Sequence, residues 1–133
     1  MARPRAPRRR AGHTRVFVYG TLRTGERNHD LLAGAARLGA DRTPTRYTLV
    51  DLGAYPAAVA GGSTAIVGEV FEVDAATLAR LDRLEGHPHL YQRTTVRLTS
   101  RRGAVMYVMT AAQAAGWPAL PSGDWLARPA RRG

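Results

Sequence analysis

The chain has 133 residues, 44% hydrophobic and 23% charged, with no cysteine. One domain with its own core fits that length, and the composition excludes a wholly disordered or collagen-like chain, a disulfide scaffold, a thiolate metal site and a cysteine nucleophile. The net charge of +10 comes from twenty arginines, eight of which lie in the first thirteen and last six residues, leaving twelve against ten acids between them.

A basic nucleic-acid face belongs to the folded part of a protein and is interleaved with aromatics. Here the charge sits at the ends, so no nucleic-acid partner is expected. Residues 1–13 mix Arg3, Arg5, Arg8, Arg9 and Arg10 with Pro, Ala and Gly and show no apolar periodicity, which reads as a disordered tail. They lack the apolar stretch of a secretory signal. Residues 14–127 read as the domain and 128–133 as a basic C-terminal tail. No apolar run approaches a bilayer span, so no membrane partner is expected and the cytoplasm is the default location.

The first element in chain order is Arg15-Val16-Phe17-Val18-Tyr19, a β-branched and aromatic run stopped by Gly20, which predicts a buried strand. Thr21 to Arg27 is a turn-rich loop, and Asn28 is placed to cap a short helix carrying Leu31, Leu32 and Ala35. Strands are expected at Arg46 to Leu52 and Ala65 to Val73, with loops at Gly53-Ala54-Tyr55-Pro56 and Gly61-Gly62-Ser63. Ala75 to Glu85 carries the clearest helical pattern, opened by Asp74 and closed by Gly86 and Pro88. Gln92 to Leu98 and Ala104 to Thr110 then form strands joined by an Arg101-Arg102-Gly103 turn, and Trp125 closes the chain in a loop that packs back. Strands outnumber helices without alternating strictly with them, which predicts an α+β fold with a curved or closed sheet.

Glu85 stands out on helical geometry. At about 100° per residue, Leu78, Leu81 and Glu85 share one stripe, with Arg80 and Arg83 opposite. A carboxylate on an apolar stripe at a helix C-terminus is disfavoured by desolvation and by the helix dipole, and both raise its pKa as a general base near neutral pH requires. The competing structural role is a frayed helix end with Glu85 paired to Arg93.

Gly20 follows the first strand in Tyr19-Gly20-Thr21-Leu22-Arg23, where a glycine turn can present consecutive N–H groups to an anion. Gly20 and Gly25 have Walker A spacing, but Glu26-Arg27 stand where Lys and Ser/Thr are required, which rejects nucleotide binding by that route. His87-Pro88-His89, with His13 and His29 distant, has no established ligand spacing, so no metal is expected. Ser63, Ser100 and Ser122 lie outside any Gly-x-Ser-x-Gly motif. Tyr91 and Tyr107 are phenols for a pocket wall or for the core.

Val18-Tyr19-Gly20-Thr21-Leu22-Arg23 with Gly25-Glu26 and Asn28-His29, Leu52-Gly53-Ala54-Tyr55-Pro56, Gly68-Glu69-Val70-Phe71, Leu81-Asp82-Arg83-Leu84-Glu85-Gly86, Tyr91-Gln92-Arg93 and Ser122-Gly123-Asp124-Trp125 follow one another in order. Together, over Val16 to Trp125, they resemble the γ-glutamylcyclotransferase-like family, which includes AIG2-like proteins, γ-glutamylamine cyclotransferases and BtrG-type enzymes. The resemblance implies a small mixed β-barrel flanked by a few helices. It implies a cytoplasmic enzyme of the lyase or acyltransferase kind, needing no cofactor, that takes a small-molecule γ-glutamyl substrate and releases 5-oxoproline as the α-amine attacks the γ-carbonyl. By the same resemblance the loop Tyr19, Gly20, Thr21, Leu22 holds the γ-glutamyl group, Glu85 is the general acid/base, and Tyr91 and Tyr107 match pocket positions. The Gly25 to His29 run is similar to bacterial BtrG-like members, so a γ-glutamyl aminoglycoside joins dipeptides, glutathione and lysine crosslinks among expected substrates. A monomer or weak homodimer is expected. The alternative is a non-catalytic small-molecule binding module on the same fold, and a third reading is nucleic-acid binding through the arginine arm.

Overall fold

A computed structural model describes residues 10–129, so the expected tails lie largely outside the described residues. Seven strands and two helices are found there: β1 His13–Val18, β2 Ala36–Arg42, β3 Tyr47–Asp51, β4 Pro56–Ala60, β5 Val67–Asp74, α1 Ala75–Glu85, β6 Gln92–Arg97, β7 Gly103–Met109 and α2 Ala111–Ala114. β1 begins at His13 and Arg128 packs over the Trp125 ring at 3.8 Å, each one residue outside the expected 14–127 span. No helix among the described residues is long and apolar enough to cross a membrane.

The strands form one mixed sheet in the order β2-β5-β1-β7-β4-β3, with β6 also on β7. β6 runs antiparallel along the whole of β7, from Gln92 opposite Val108 to Arg97 opposite Gly103. The other edge of β7 is therefore shared by two parallel neighbours, β1 at Val105 and β4 at Val108 and Met109. The sheet forks between them. The Tyr19 hydroxyl bridges the fork, donating to the Tyr107 carbonyl at 2.6 Å and accepting from the Ala58 N–H at 2.9 Å, so that both buried backbone groups are satisfied.

The expected closed barrel is corrected to an open α+β sheet: β2, β3 and β6 each pair with one strand only. The outer edge of β3 is covered instead by the C-terminal segment, where the Asp51 N–H meets the Pro118 carbonyl at 2.8 Å and the Leu120 N–H meets the Leu49 carbonyl at 2.7 Å.

Both faces of the sheet carry core. Phe17 on β1 and Tyr19 just after it enter a cluster with Leu49, Ile66, Met106 and Trp125, while Val16 and Val18 enter a second with Phe71, Leu81, Tyr91 and Tyr107. A strand buried on both faces reads as a continuous apolar run, as Val16 to Tyr19 does. α1 covers the second cluster with Leu81 fully buried and Leu78 beside it. Its ends match the expectation: the Asp74 carboxylate accepts the Thr77 N–H at 2.7 Å, and Gly86 terminates the helix at φ 65°.

Four elements depart from expectation, one of them α2, a single helical turn at Ala111–Ala114 that no expectation covers. The helix after Asn28 is a four-residue 3-10 turn, His29–Leu32, without a side-chain cap; the Asn28 amide donates to Thr21 Oγ1 instead. β2 and β4 were not expected, and β4 (Pro-Ala-Ala-Val-Ala) owes its conformation to β3 and β7 on either side rather than to strand propensity.

Candidate functional site

A cavity of about 200 Å³ opens where β1, the start of β4 and the end of α1 meet. All seven residues singled out in the sequence line it: Tyr19, Gly20, Thr21, Leu22, Glu85, Tyr91 and Tyr107. Arg27, Asn28, Tyr55, Pro56, Leu84 and Leu90 also line it, with Phe17 and Val18 of β1 behind them. The volume is below the roughly 300–1,000 Å³ of drug-sized sites and suits a group about as large as one amino acid.

Glu85 reaches the cavity from the last turn of α1, and the intact Gly86 cap holds that turn in place. Its expected competitor for an ion pair is taken: Arg93 Nε meets Asp82 Oδ1 at 3.0 Å, one turn earlier on the helix. No described residue gives the Glu85 carboxylate a hydrogen bond or ion pair. Burial without a compensating partner pushes its pKa up from 4.5 to about 7.

The loop after β1 forms the opposite wall. The Arg23 N–H bonds the Gly20 carbonyl at 3.0 Å and the Asn28 N–H bonds the Thr21 carbonyl at 2.9 Å, so carbonyls of the loop are engaged inside the protein. His29 Nδ1 lies 3.0 Å from the Leu22 carbonyl. The N–H groups of Gly20, Thr21 and Leu22 donate to no acceptor among the described residues. Three consecutive unpaired donors make a site for negative charge. Glycine is required at position 20 by close approach rather than by φ: a Cβ there would lie 2.8 Å from both Cγ and Cδ of Pro56.

The phenols are committed as donors. Tyr91 donates to the Pro56 carbonyl at 2.6 Å, Tyr107 to Asp82 Oδ1 at 2.7 Å, and Tyr19 spans the fork. Burial raises all three pKa values, assisted for Tyr107 by its bond to Asp82, so they stay neutral. Tyr91 and Tyr107 therefore line the cavity with hydroxyls whose protons are already engaged.

Behind the loop lies a charged network. Glu69 on β5, 3% exposed, accepts Arg23 Nε at 3.0 Å and the Thr24 N–H at 3.2 Å on one oxygen, and Thr24 Oγ1 at 2.6 Å and Arg37 Nε at 3.0 Å on the other. Arg23 Nη1 continues to Asp124 Oδ1 at 2.8 Å, and Trp125 Nε1 donates to Glu26 at 3.0 Å. Burial pushes the Glu69 pKa up, but the bonds from Thr24, Arg23 and Arg37 outweigh it and hold the carboxyl below its ordinary value. This network ties down the loop at Arg23, Thr24 and Glu26, just after the stretch that lines the cavity. A signal for it was present: on a strand of period two, Glu69 shares a face with Phe71 and Val73, an acid on an apolar side.

The histidines do not converge. His87 Nδ1 accepts the Arg93 N–H at 3.1 Å, and no group of three or more His, Asp or Glu side chains placed for a metal ion is found among the described residues.

A family model described as "Gamma-glutamyl cyclotransferase, AIG2-like" matches residues 16–127. The chain is 41% identical over 114 residues to the gamma-glutamylcyclotransferase family protein YtfP of Escherichia coli K12, covering 86% of this chain and 97% of that one. The solution structure of E. coli ytfP is similar at a TM-score of 0.65 and 38% identity, over 85% of this chain and 96% of that one. The crystal structure of an AIG2-like protein from Mus musculus is similar at a TM-score of 0.73 and 28% identity, over 84% and 88% of the two chains.

Proposed function

The chain belongs to the gamma-glutamyl cyclotransferase, AIG2-like family, and from that premise we propose that it releases 5-oxoproline from a γ-glutamyl amine or amide. The observation that carries the reading is one small cavity lined both by an unpartnered carboxylate of pKa about 7 and by a loop whose three backbone N–H groups find no acceptor among the described residues.

In this reading Glu85 takes a proton from the substrate's α-ammonium, and the freed amine attacks the γ-carbonyl of the same molecule. A C–N bond forms, closing a five-membered ring, and the carbonyl oxygen becomes an oxyanion. The N–H groups of Gly20, Thr21 and Leu22 hold negative charge on the substrate, its α-carboxylate or this oxyanion. Glu85, protonated in the first step, hands its proton to the departing nitrogen, the old C–N bond breaks and the carbonyl re-forms. The cyclised nitrogen gives up its second proton to Glu85 in the same way, and Glu85 passes it to the released amine, so that two protons leave the α-nitrogen, two arrive on the released ammonium, and no water or cofactor is consumed. A carboxyl titrating near neutrality suits both directions of transfer. Because nucleophile and electrophile share one molecule, holding a near-attack conformer supplies much of the acceleration. Tyr91 and Tyr107, which line the same cavity, pack against the glutamyl chain in this reading.

Incubating the full chain with γ-glutamyl dipeptides, glutathione, ε-(γ-glutamyl)-lysine and γ-glutamyl aminoglycosides, and measuring 5-oxoproline by mass spectrometry, tests the proposal. Product from at least one compound is expected. Binding of these compounds with no product from any of them would instead support the non-catalytic binding module.

Gly20→Ala is expected to lower kcat/KM by up to about a hundredfold, since the added methyl forces the loop and Pro56 apart and a misplacement of about 1 Å costs that much in other sites. Steady-state kinetics on the folded variant check it. A change of less than threefold would remove the loop amides from the mechanism.

A further inference from the structure

We infer that Asn28 is a positioning residue that works through Thr21: its side-chain amide occupies the Thr21 hydroxyl oxygen and leaves the hydroxyl proton to be donated to negative charge on the substrate, beside the loop N–H groups. The inference rests on the proposed cyclisation. Both residues line the cavity. Asn28 Nδ2 donates to Thr21 Oγ1 at 2.9 Å, and no acceptor for the Thr21 hydroxyl proton is found among the described residues. A hydroxyl carries one donor and two acceptor lone pairs, and its proton rotates to suit its surroundings. A donor seated on the oxygen turns that proton away from itself. With no protein acceptor to take it, the proton is left for a ligand in the cavity that Thr21 lines.

The backbone of Asn28 acts on the same stretch. Its N–H bonds the Thr21 carbonyl at 2.9 Å. In a planar trans peptide the C=O and the following N–H point in opposite directions, so this bond aims the Leu22 N–H away from Asn28. The Arg23 N–H, bonded to the Gly20 carbonyl at 3.0 Å, does the same for the Thr21 N–H. One residue on, His29 Nδ1 stands 3.0 Å from the Leu22 carbonyl, and its ring packs on Phe71 with centroids 5.5 Å apart. Thr21 and Leu22 are thus held by residues seven positions further on in each case. Asn28 stands where a helix cap would, yet its side chain caps nothing in the 3-10 turn and is spent on Thr21.

The test measures kcat/KM for 5-oxoproline release by the full chain from the fastest of γ-glutamyl-alanine, glutathione and ε-(γ-glutamyl)-lysine. Thr21→Val removes the hydroxyl at nearly constant shape and is expected to lose roughly 10–100-fold, as the loss of a hydrogen bond to a charged group does; Thr21→Ser recovers most of that loss. Asn28→Ala keeps the backbone N–H and is expected to lose up to about tenfold, the worth of one neutral hydrogen bond. In a Thr21→Val background the same change costs less than about twofold, because the oxygen it acts on is gone. Asn28→Asp has the shape of the native residue, so it serves if Asn28→Ala does not fold; its carboxylate accepts the Thr21 proton, and its activity falls below that of Asn28→Ala. Equal costs of Asn28→Ala in the native and Thr21→Val backgrounds, or native activity in Thr21→Val, would overturn the inference while leaving cyclisation in place. Release of 5-oxoproline from none of the three compounds by the native protein would overturn both.

Discussion

Replacing Glu85 by glutamine is expected to lower kcat/KM for 5-oxoproline release by roughly 10²–10⁴-fold and to make the folded protein more stable above pH 7. The amide keeps the side chain's shape and removes its ability to exchange a proton. The loss of turnover alone could come from a damaged cavity, but the gain in stability could not. A carboxyl whose folded pKa of about 7 stands above its ordinary 4.5 binds its proton more tightly in the folded state. Its favourable contribution is complete below pH 4.5 and is lost as the pH rises through 7. The ionised, unpartnered group then burdens the fold by about 3 kcal/mol, at about 1.4 kcal/mol per pH unit. Glutamine carries no such burden. Urea titrations at pH 5 and pH 8 should show the variant's advantage growing between them. Equal stability at pH 8 would mean that Glu85 is solvated or paired in solution.

Glu69→Ala is expected to destabilise the protein by roughly 3–5 kcal/mol, the range for breaking a buried ion pair by removing one partner. Glu69 is buried, and its loss leaves Arg23, itself 8% exposed, with only Asp124 as a counter-charge. Thr24 loses the acceptor for both its N–H and its hydroxyl. Arg37 is half exposed and screened by solvent, so its share is small. The pH dependence runs opposite to that of Glu85. A carboxyl held below its ordinary value contributes stability above its unfolded pKa, and that contribution disappears as the pH falls through the folded one. The variant should therefore be less stable than the native protein at pH 7, with the gap closing towards acid. If Glu69→Ala does not fold, Glu69→Gln reports the loss of charge with the shape retained. A cost below about 1 kcal/mol for both would show that the network contributes little beyond its local hydrogen bonds.

The two carboxylates show why parts of this molecule are legible in its sequence and parts are not. Both announce themselves as acids on apolar faces, Glu85 at helical period and Glu69 at strand period. Only Glu85 is legible that way, because the helix signals around it are local and strong: Asp74 opens α1, Gly86 closes it, and the leucine stripe fixes its orientation. What each acid meets is not local. The partners of Glu69 come from Arg23, Thr24 and Arg37, so its role depends on the fold. The same holds for Gly20, whose need for glycine arises from Pro56 on another strand, and for the rest of the cavity lining, assembled from Arg27, Tyr55, Leu84 and Leu90. β4 escaped notice because alanines carry little strand preference, and the forked edge of β7 with its Tyr19 bridge has no counterpart in any one segment. The sheet that the resemblance implies as a barrel is open, and periodicity could not have shown this, since it tells that strands exist and not whether the edge strands find one another.

The most direct test of the account is the pH dependence of kcat/KM for 5-oxoproline release from the best substrate, measured from pH 5 to pH 9 at constant ionic strength. In the free enzyme this quantity reports the ionisation of the essential base. An acid limb with a midpoint near 7 is predicted, from the buried and unpartnered Glu85. A profile flat down to pH 5 would place the working carboxyl in its ordinary range and contradict the assignment of the desolvated Glu85 as the group that moves the proton.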